Sequence, residues 1–318
     1  MKKLYELLGK PLSQGVFGVE IEVEGDRLCA PTPGWRSTRD GSLRGHYPDQ
    51  ACEYVFEKPE TLASATRMIH QLNNEMYRTG SRLNFSFRTS THVHINVQPL
   101  TYPQFLTFLY TSILLENVLM NFCGQERVNN RFCLRIRDAE FYIEQLKNVF
   151  RSVQGCYPIR EDALRYSAIN IGSVPKYGSV EFRGMRGTLD KGVLIPWLKI
   201  LYAIREFAVN QDNPHNVHDL FVRNHPEHFL KMIIGEELFE VINYPGLQDD
   251  IRQSFSLSIE LAHIYKPENF IERPAVNRKR AEKIDFAIFE EVNNAQQLPR
   301  RAARIDIVDD FILEEEYR

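Results

Sequence analysis

Cysteine is scarce in this chain and never closely paired. The five residues Cys29, Cys52, Cys123, Cys133 and Cys156 are odd in number and show no Cys-x-x-Cys spacing, which argues against a disulfide framework or a zinc ribbon and fits a reducing cytoplasm. Net charge is almost absent as well. Thirty-nine Lys and Arg stand against 42 Asp and Glu, a formal charge of -3, so no overall field draws the protein to nucleic acid or to an anionic membrane. Long apolar runs are missing: the most apolar stretch, Phe105 to Phe122, contains Glu116, Asn117 and several Ser and Thr. It follows Thr101 and Pro103, the start of a capped, buried helix and not of a membrane span. The opening residues hold Lys2 and Lys3 but no apolar core of signal-peptide length, so secretion is not expected. Repeats and low-complexity tracts are absent too. What remains is a composition near the globular average, 43% hydrophobic and 25% charged over 318 residues, enough for one large domain or two smaller ones.

Strands come first, with helices between and after. From Phe17 the segment alternates strictly, with Phe17, Val19, Ile21 and Val23 on one face and Glu20, Glu22 and Glu24 on the other. Further strands are expected at 51–57, 82–88, 90–97, 165–171 and 179–186, from aromatic and β-branched content with alternation. Helical spacing predicts helices over 61–79, 138–153 and 190–209. Beyond about residue 210 only helical segments are expected, around 226–235, 247–265 and 278–293, followed by an acidic tail over 306–318. The basic stretch Arg273 to Lys283 reads as a solvated helix face. The fold class is α+β, with a catalytic region over 1–210 and a helical region over 211–318 packed on it.

The chemistry lies in the polar face of each strand. Glu20 and Glu22 share one face, about 7 Å apart by two strand rises, and repel each other unless a cation lies between them. His92, His94 and Asn96 oppose Val93, Ile95 and Val97; Glu181 and Arg183 oppose Val180 and Phe182; Glu53 and Glu57 oppose Cys52, Tyr54 and Phe56, with Val55 an apolar exception. If these strands share one sheet, the polar faces converge on one wall. Carboxylates with one or two imidazoles suit Mg²⁺ or Mn²⁺ better than zinc. Arg183 beside them adds a guanidinium that binds phosphate in a bidentate fork, the equipment for phosphoryl transfer. Asp40-Gly41-Ser42 is a turn by composition, although its carboxylate and hydroxyl could equally orient a substrate.

In order along the chain, FGVEIE (17–22), RDGSLRG (39–45) with Cys52-Glu53-Tyr54-Val55, STHVHINV (90–97) and AINIGSVPKYGSVEFRGMRGTLD (168–190) resemble the amidoligases of the glutamine synthetase and glutamate-cysteine ligase superfamily, the carboxylate-amine ligases. The resemblance implies a glutamine-synthetase-like curved antiparallel sheet forming a funnel flanked by helices. It implies ATP and Mg²⁺ or Mn²⁺ as cofactors, and Glu20, Glu22, Glu53, His92 and Glu181 as metal ligands. His94, with Asn96, Asn170 and Arg165, is assigned to the nucleotide, and Arg183, with Asp40, Ser42 and Arg44, to catalysis; Arg135 and Arg137 are weaker candidates. The implied reaction joins a small-molecule or peptide carboxylate to an amine through an acyl phosphate. No membrane or nucleic-acid partner is expected, and there is room for a partner enzyme of the same pathway, amidotransferase- or peptidase-like, and for an oligomer. Two other readings stand beside it. One is a metal-dependent hydrolase using the His and Glu cluster to activate water, which leaves Glu181 and Arg183 together unexplained; the other is a non-catalytic interaction protein.

Overall fold

The alternating segment forms β1 (Phe17–Asp26), the longest strand in the computed structural model, which describes residues 1–156, 164 and 166–271. Its partners are β2 (Trp35–Thr38), β3 (Ala51–Phe56), β4 (Arg82–Asn84), β5 (Thr91–Asn96), β6 (Ile169–Asn170) and β7 (Ser179–Phe182), in the order β2-β3-β1-β5-β7-β6. Every pairing is antiparallel, and β4 continues the β5 edge of β1 by pairing Glu24 with Asn84. Around the sheet lie α1 (Leu4–Leu7), α2 (Leu62–Thr79), α3 (Tyr102–Leu114), α4 (Glu116–Cys123), α5 (Glu140–Arg151), α6 (Ser173–Tyr177), α7 (Lys191–Gln211), α8 (Pro214–Arg223), α9 (Pro226–Ile242) and α10 (Leu247–Ile264). The expected mixed architecture, an antiparallel sheet flanked by helices, is present.

One sheet face is apolar throughout. Phe17, Val19, Ile21, Val23, Tyr54, Val93, Ile95, Val180 and Phe182 are all buried. Helices α2, α3 and α7 pack over this core. Phe17 meets Tyr202 of α7 at 6.1 Å between ring centroids, and Phe182 lies 5.9 Å from Phe108 of α3 and 6.2 Å from Trp197 of α7. Local sequence explains the helix ends. Thr61 accepts a hydrogen bond from the Ser64 N–H to start α2, and Gly80 stops it in the left-handed region at φ 66°. The α2 stripe expected from periodicity, Ala65, Met68, Ile69, Leu72 and Met76, is its buried face. Asp190 caps α7 by accepting from the Gly192 N–H.

Several expected elements are shorter than their sequence pattern. The strand over 82–88 ends at Asn84, because Ser86 turns the chain and its carbonyl accepts from both the N–H and the hydroxyl of Thr89. The strand over 165–171 reduces to Ile169–Asn170, since Tyr166 and Ala168 pair with Leu134 instead. The strand over 179–186 stops at Phe182, with the carbonyls of Arg183 and Gly184 taken by the buried Arg127 guanidinium. Strand β2 and helix α8 have no counterpart among the expected elements, and α9 runs on past the kink at Gly235 (φ 78°) to Ile242. Helix α8 packs on α3, and α10 on α3, α4 and α5. Residues 1–271 form one compact unit. The expected helix over 278–293, the basic stretch and the acidic tail lie outside the described residues.

The apolar stretch 105–122 is two helices, not one, bent by 62° at Leu115. Thr107, Thr111 and Ser112 each return their hydroxyl to the carbonyl four residues back, which satisfies them in apolar surroundings and bends helices. Among the described residues no single helix is long and apolar enough to cross a membrane, and α3 is buried at all but one position. Glu116 sits just past the bend, 3% exposed, with both carboxylate oxygens 3.0 Å from the Ile136 N–H. Burial pushes its carboxyl up to about 8, against the lowering effects of that hydrogen bond and of Arg135.

A carboxyl at about 8 in the fold and near 4.3 in the unfolded chain binds its proton more tightly when folded. Its stabilising contribution is therefore complete below the unfolded value and is lost as pH rises through 8. Glu116→Gln should remove this dependence. Melting wild type and variant between pH 5 and 9 should show the variant gaining on wild type as pH rises, by on the order of 5 kcal/mol at full extent. A pH-independent difference would show that Glu116 does not hold the proton.

Candidate functional site

The opposite face of the sheet carries nearly every charged group expected to matter. Side chains on alternate residues point the same way, and the register then decides who meets whom. Glu20 of β1 stands opposite His92 of β5, and Glu22 opposite Glu53 of β3. His94 stands opposite Glu181 of β7, and Asn170 of β6 lies opposite Glu181 on its other side. Opposite His94 on β1 is Gly18, where a Cβ would come within 3.2 Å of the His94 Cβ. Glycine at this place leaves the imidazole its space.

The groups come within ligating reach of one another. His92 Nδ1 is 3.4 Å from both Glu20 Oε2 and Glu181 Oε1, and His94 Nε2 is 3.5 Å from Glu20 Oε1 and 3.9 Å from Glu181 Oε1. Three sets each bring their ligand atoms within 4.8 Å: Glu20 with Glu53 and His92, Glu20 with His94 and Glu181, and Glu22 with Asp40 and Glu53. Glu20 and Glu53 each belong to two sets, so the three form one connected cluster. These are oxygen and imidazole donors without thiolate, a set that fits hard or borderline divalent ions.

The electrostatics follow from burial and neighbours. Burial drives the Glu20 carboxyl up, but hydrogen bonds and charge from His92 and His94 outweigh it and hold the group well below its ordinary value. Glu181 is likewise lowered: burial opposes its charge, and His94, Arg183 and His92 overcome it. Burial works against the charged form of His94, yet Glu20 and Glu181 raise it above the usual imidazole value. Glu53 goes the other way. Burial and then the charge of Glu20 push it up to about 7, although the Thr38 hydroxyl donates to it at 2.9 Å. Acids crowded like this favour a cation among them.

Each expected residue has a definite place. Asp40 accepts from the Ser42 N–H at 2.6 Å in the Asp-Gly-Ser turn and turns its carboxylate to Glu22 and Glu53. Ser42 is exposed, and its carbonyl accepts from Arg88. Arg44 is also exposed; its N–H donates to Glu24 and its guanidinium stands 5.9 Å from the centre of the Phe87 ring, outside the three sets. Asn170 donates to Glu181 Oε2 at 2.8 Å and accepts from the Gly172 N–H, so it orients a carboxylate. Asn96 ties down the carbonyls of Ser13 and Gly15. Arg183 pairs with Glu181 Oε1, while its buried Nε has no acceptor among the described residues. Arg135 and Arg137 lie beside Glu116 and Asp138, away from this face. Arg165 lies outside the described residues.

Three supporting hydroxyls were not expected from sequence. Ser90 binds Glu22 and His92, Ser179 lies 3.1 Å from His94 Nδ1, and Thr38 donates to Glu53. Ser90 and Ser179 have the parity of the polar sets 92-94-96 and 181-183, so carrying the alternation one step back finds both. Thr38 lies on β2, whose short polar sequence hides the strand. A cleft opens beside the cluster, lined by Gly18, Glu20, Val55, Lys58, His94 and Tyr177 among others. Val55, the apolar exception, thus forms part of its wall.

Among solved structures, the chain is similar to a bifunctional glutathione synthetase from Pasteurella multocida at 12% identity and a TM-score of 0.33, covering 82% of this chain and 50% of that one. The chain thus spans about half the length of that structure, and the likeness is too distant to bear on fold or activity. No curated protein matches. Residues 58–205, the stretch that carries His92, His94, Glu181 and Arg183, match the model of the family described as "Putative amidoligase enzyme".

Proposed function

We propose that this chain is an ATP- and divalent-metal-dependent carboxylate-amine ligase. The observation that carries the reading is the single sheet face on which Glu20, Glu22, Glu53, His92, His94 and Glu181 come within ligating reach, with Arg183 at its edge. A carboxylate does not condense with an amine in water, because hydroxide is a poor leaving group. In the proposed reaction a carboxylate oxygen attacks the γ-phosphorus of ATP, ADP leaves, and an acyl phosphate forms. The amine then attacks the acyl carbon, phosphate leaves, and the amine gives up a proton.

Glu20, Glu22, Glu53, His92 and Glu181 would hold the divalent ions, with Asp40 reaching the same cluster. Ions bound there would neutralise charge on the phosphate oxygens. Arg183 keeps one guanidinium nitrogen on Glu181 and has its Nε free of acceptors among the described residues, a donor for an oxygen of the transferring phosphoryl group. His94 lies between the carboxylates and the cleft, in position to touch the nucleotide. The reading extends to a glutamine-synthetase-like funnel built from residues 1–210, with the following helices as its support.

The test is to incubate the protein with Mg²⁺, ATP and pools of carboxylates and amines while following ADP, phosphate and product mass. ADP release should require the metal and match the amide formed one to one. Hydrolysis of a test ester or phosphate without ATP, by a protein that binds no nucleotide, would replace the ligase with the hydrolase reading.

A further inference from the structure

Ser90 precedes β5 and is 4% exposed. Its N–H donates to Glu22 Oε2 at 2.8 Å, its hydroxyl donates to the same oxygen at 2.7 Å, and the hydroxyl oxygen also lies 2.7 Å from His92 Nε2. A serine hydroxyl has one proton. With that proton given to Glu22, the contact with His92 is a hydrogen bond only if Nε2 carries a proton and donates it. In a neutral imidazole the other nitrogen then has the lone pair. That nitrogen, Nδ1, points at Glu20 Oε2 and Glu181 Oε1, each 3.4 Å away. Nδ1 and Glu20 Oε2 thus face each other as acceptors, while Glu181 Oε1 takes a hydrogen bond from Arg183.

We infer that Ser90 is a positioning residue that locks His92 in its Nε2–H tautomer and aims Nδ1 at a divalent cation shared with Glu20 and Glu181. The same hydroxyl steers two ligands, since it also fixes Glu22. Imidazole ligands are commonly held this way through their second nitrogen, and loss of such a partner weakens metal binding about 10- to 100-fold. The inference rests on the metal-dependent ligase reading, but its first measurement does not need the metal.

Nitrogen-15 NMR of the metal-free, histidine-labelled protein at pH 8.5 should show His92 protonated on Nε2 and bare on Nδ1. A proton on Nδ1, alone or with one on Nε2, overturns the inference. Mn²⁺ titration followed by electron paramagnetic resonance should then show Ser90→Ala binding at least tenfold more weakly than wild type, with the His92 pattern drifting toward a tautomer mixture. Ser90→Thr, which keeps the hydroxyl, should restore the Nε2–H pattern. Wild-type protein that binds no Mn²⁺ overturns the ligase reading and this inference together. Mn²⁺ binding that is intact in wild type and equally tight in a folded Ser90→Ala protein overturns this inference alone. Should Ser90→Ala fail to fold, the wild-type tautomer decides.

Discussion

Glu20→Gln should cut ATP turnover by about a thousandfold, because among the described residues only Glu20 belongs to both ligand sets that contain an imidazole. It takes part in two of the three ligand sets and lies 3.4 Å from His92 Nδ1 and 3.5 Å from His94 Nε2. A neutral amide keeps the shape and one acceptor but loses the charge that would hold two cations. Several kcal/mol of transition-state stabilisation is the usual worth of a bound metal, and each 1.36 kcal/mol is a factor of ten. The measurement is ADP release at saturating Mg²⁺ and ATP, with a thermal melt to confirm the fold. Arg183→Ala should lose about 10²- to 10³-fold in kcat, the scale of one lost preorganised donor. Full activity in a folded Glu20→Gln protein would remove the cluster from the mechanism.

Phe182→Ala should be the most damaging core change next to the site. Phe182 is 1% exposed, faces away from the cluster, and is held between Phe108 and Trp197. Truncating a buried Phe costs about 3–5 kcal/mol through lost transfer energy and the cavity left behind. For a unit of this size that is a fall of roughly 6–20 °C in Tm. Denaturant and thermal melts measure it. Because Glu181 is the next residue on β7, its carboxylate should also lose its alignment with His92 and His94, so activity should drop even where the variant remains folded. A loss below about 1 kcal/mol would mean that β7 is not anchored by this core.

The two substitutions act on opposite faces of one sheet and fail for opposite reasons, and the same contrast marks what was legible in sequence. The period-two alternation of FGVEIEVE and THVHINV is a local property of extended backbone, so the acidic and imidazole face could be read before any fold was known. The helices over 61–79 and 190–209 were legible because caps and apolar stripes are local as well. The break at Leu115 was not, since it depends on hydroxyls that bond backwards only when apolar neighbours surround them. Nor was the early end of β7, which Arg127 enforces from a distant part of the chain.

For the site, sequence by itself determined which side chains share a face, because each strand alone decides that parity. It could not determine which strand lies beside which, and so could not say that Glu20 meets His92 while Glu22 meets Glu53. Asp40 shows the limit most clearly: a turn residue by composition, it joins two strand carboxylates only because β2 and β3 bring its loop over them. Ser90 and Asn170 took their roles in the same way, from cross-strand neighbours that lie 68 and 11 residues away along the chain. Register and partner choice are set by long-range packing of the apolar face, and only the tertiary structure contains that information.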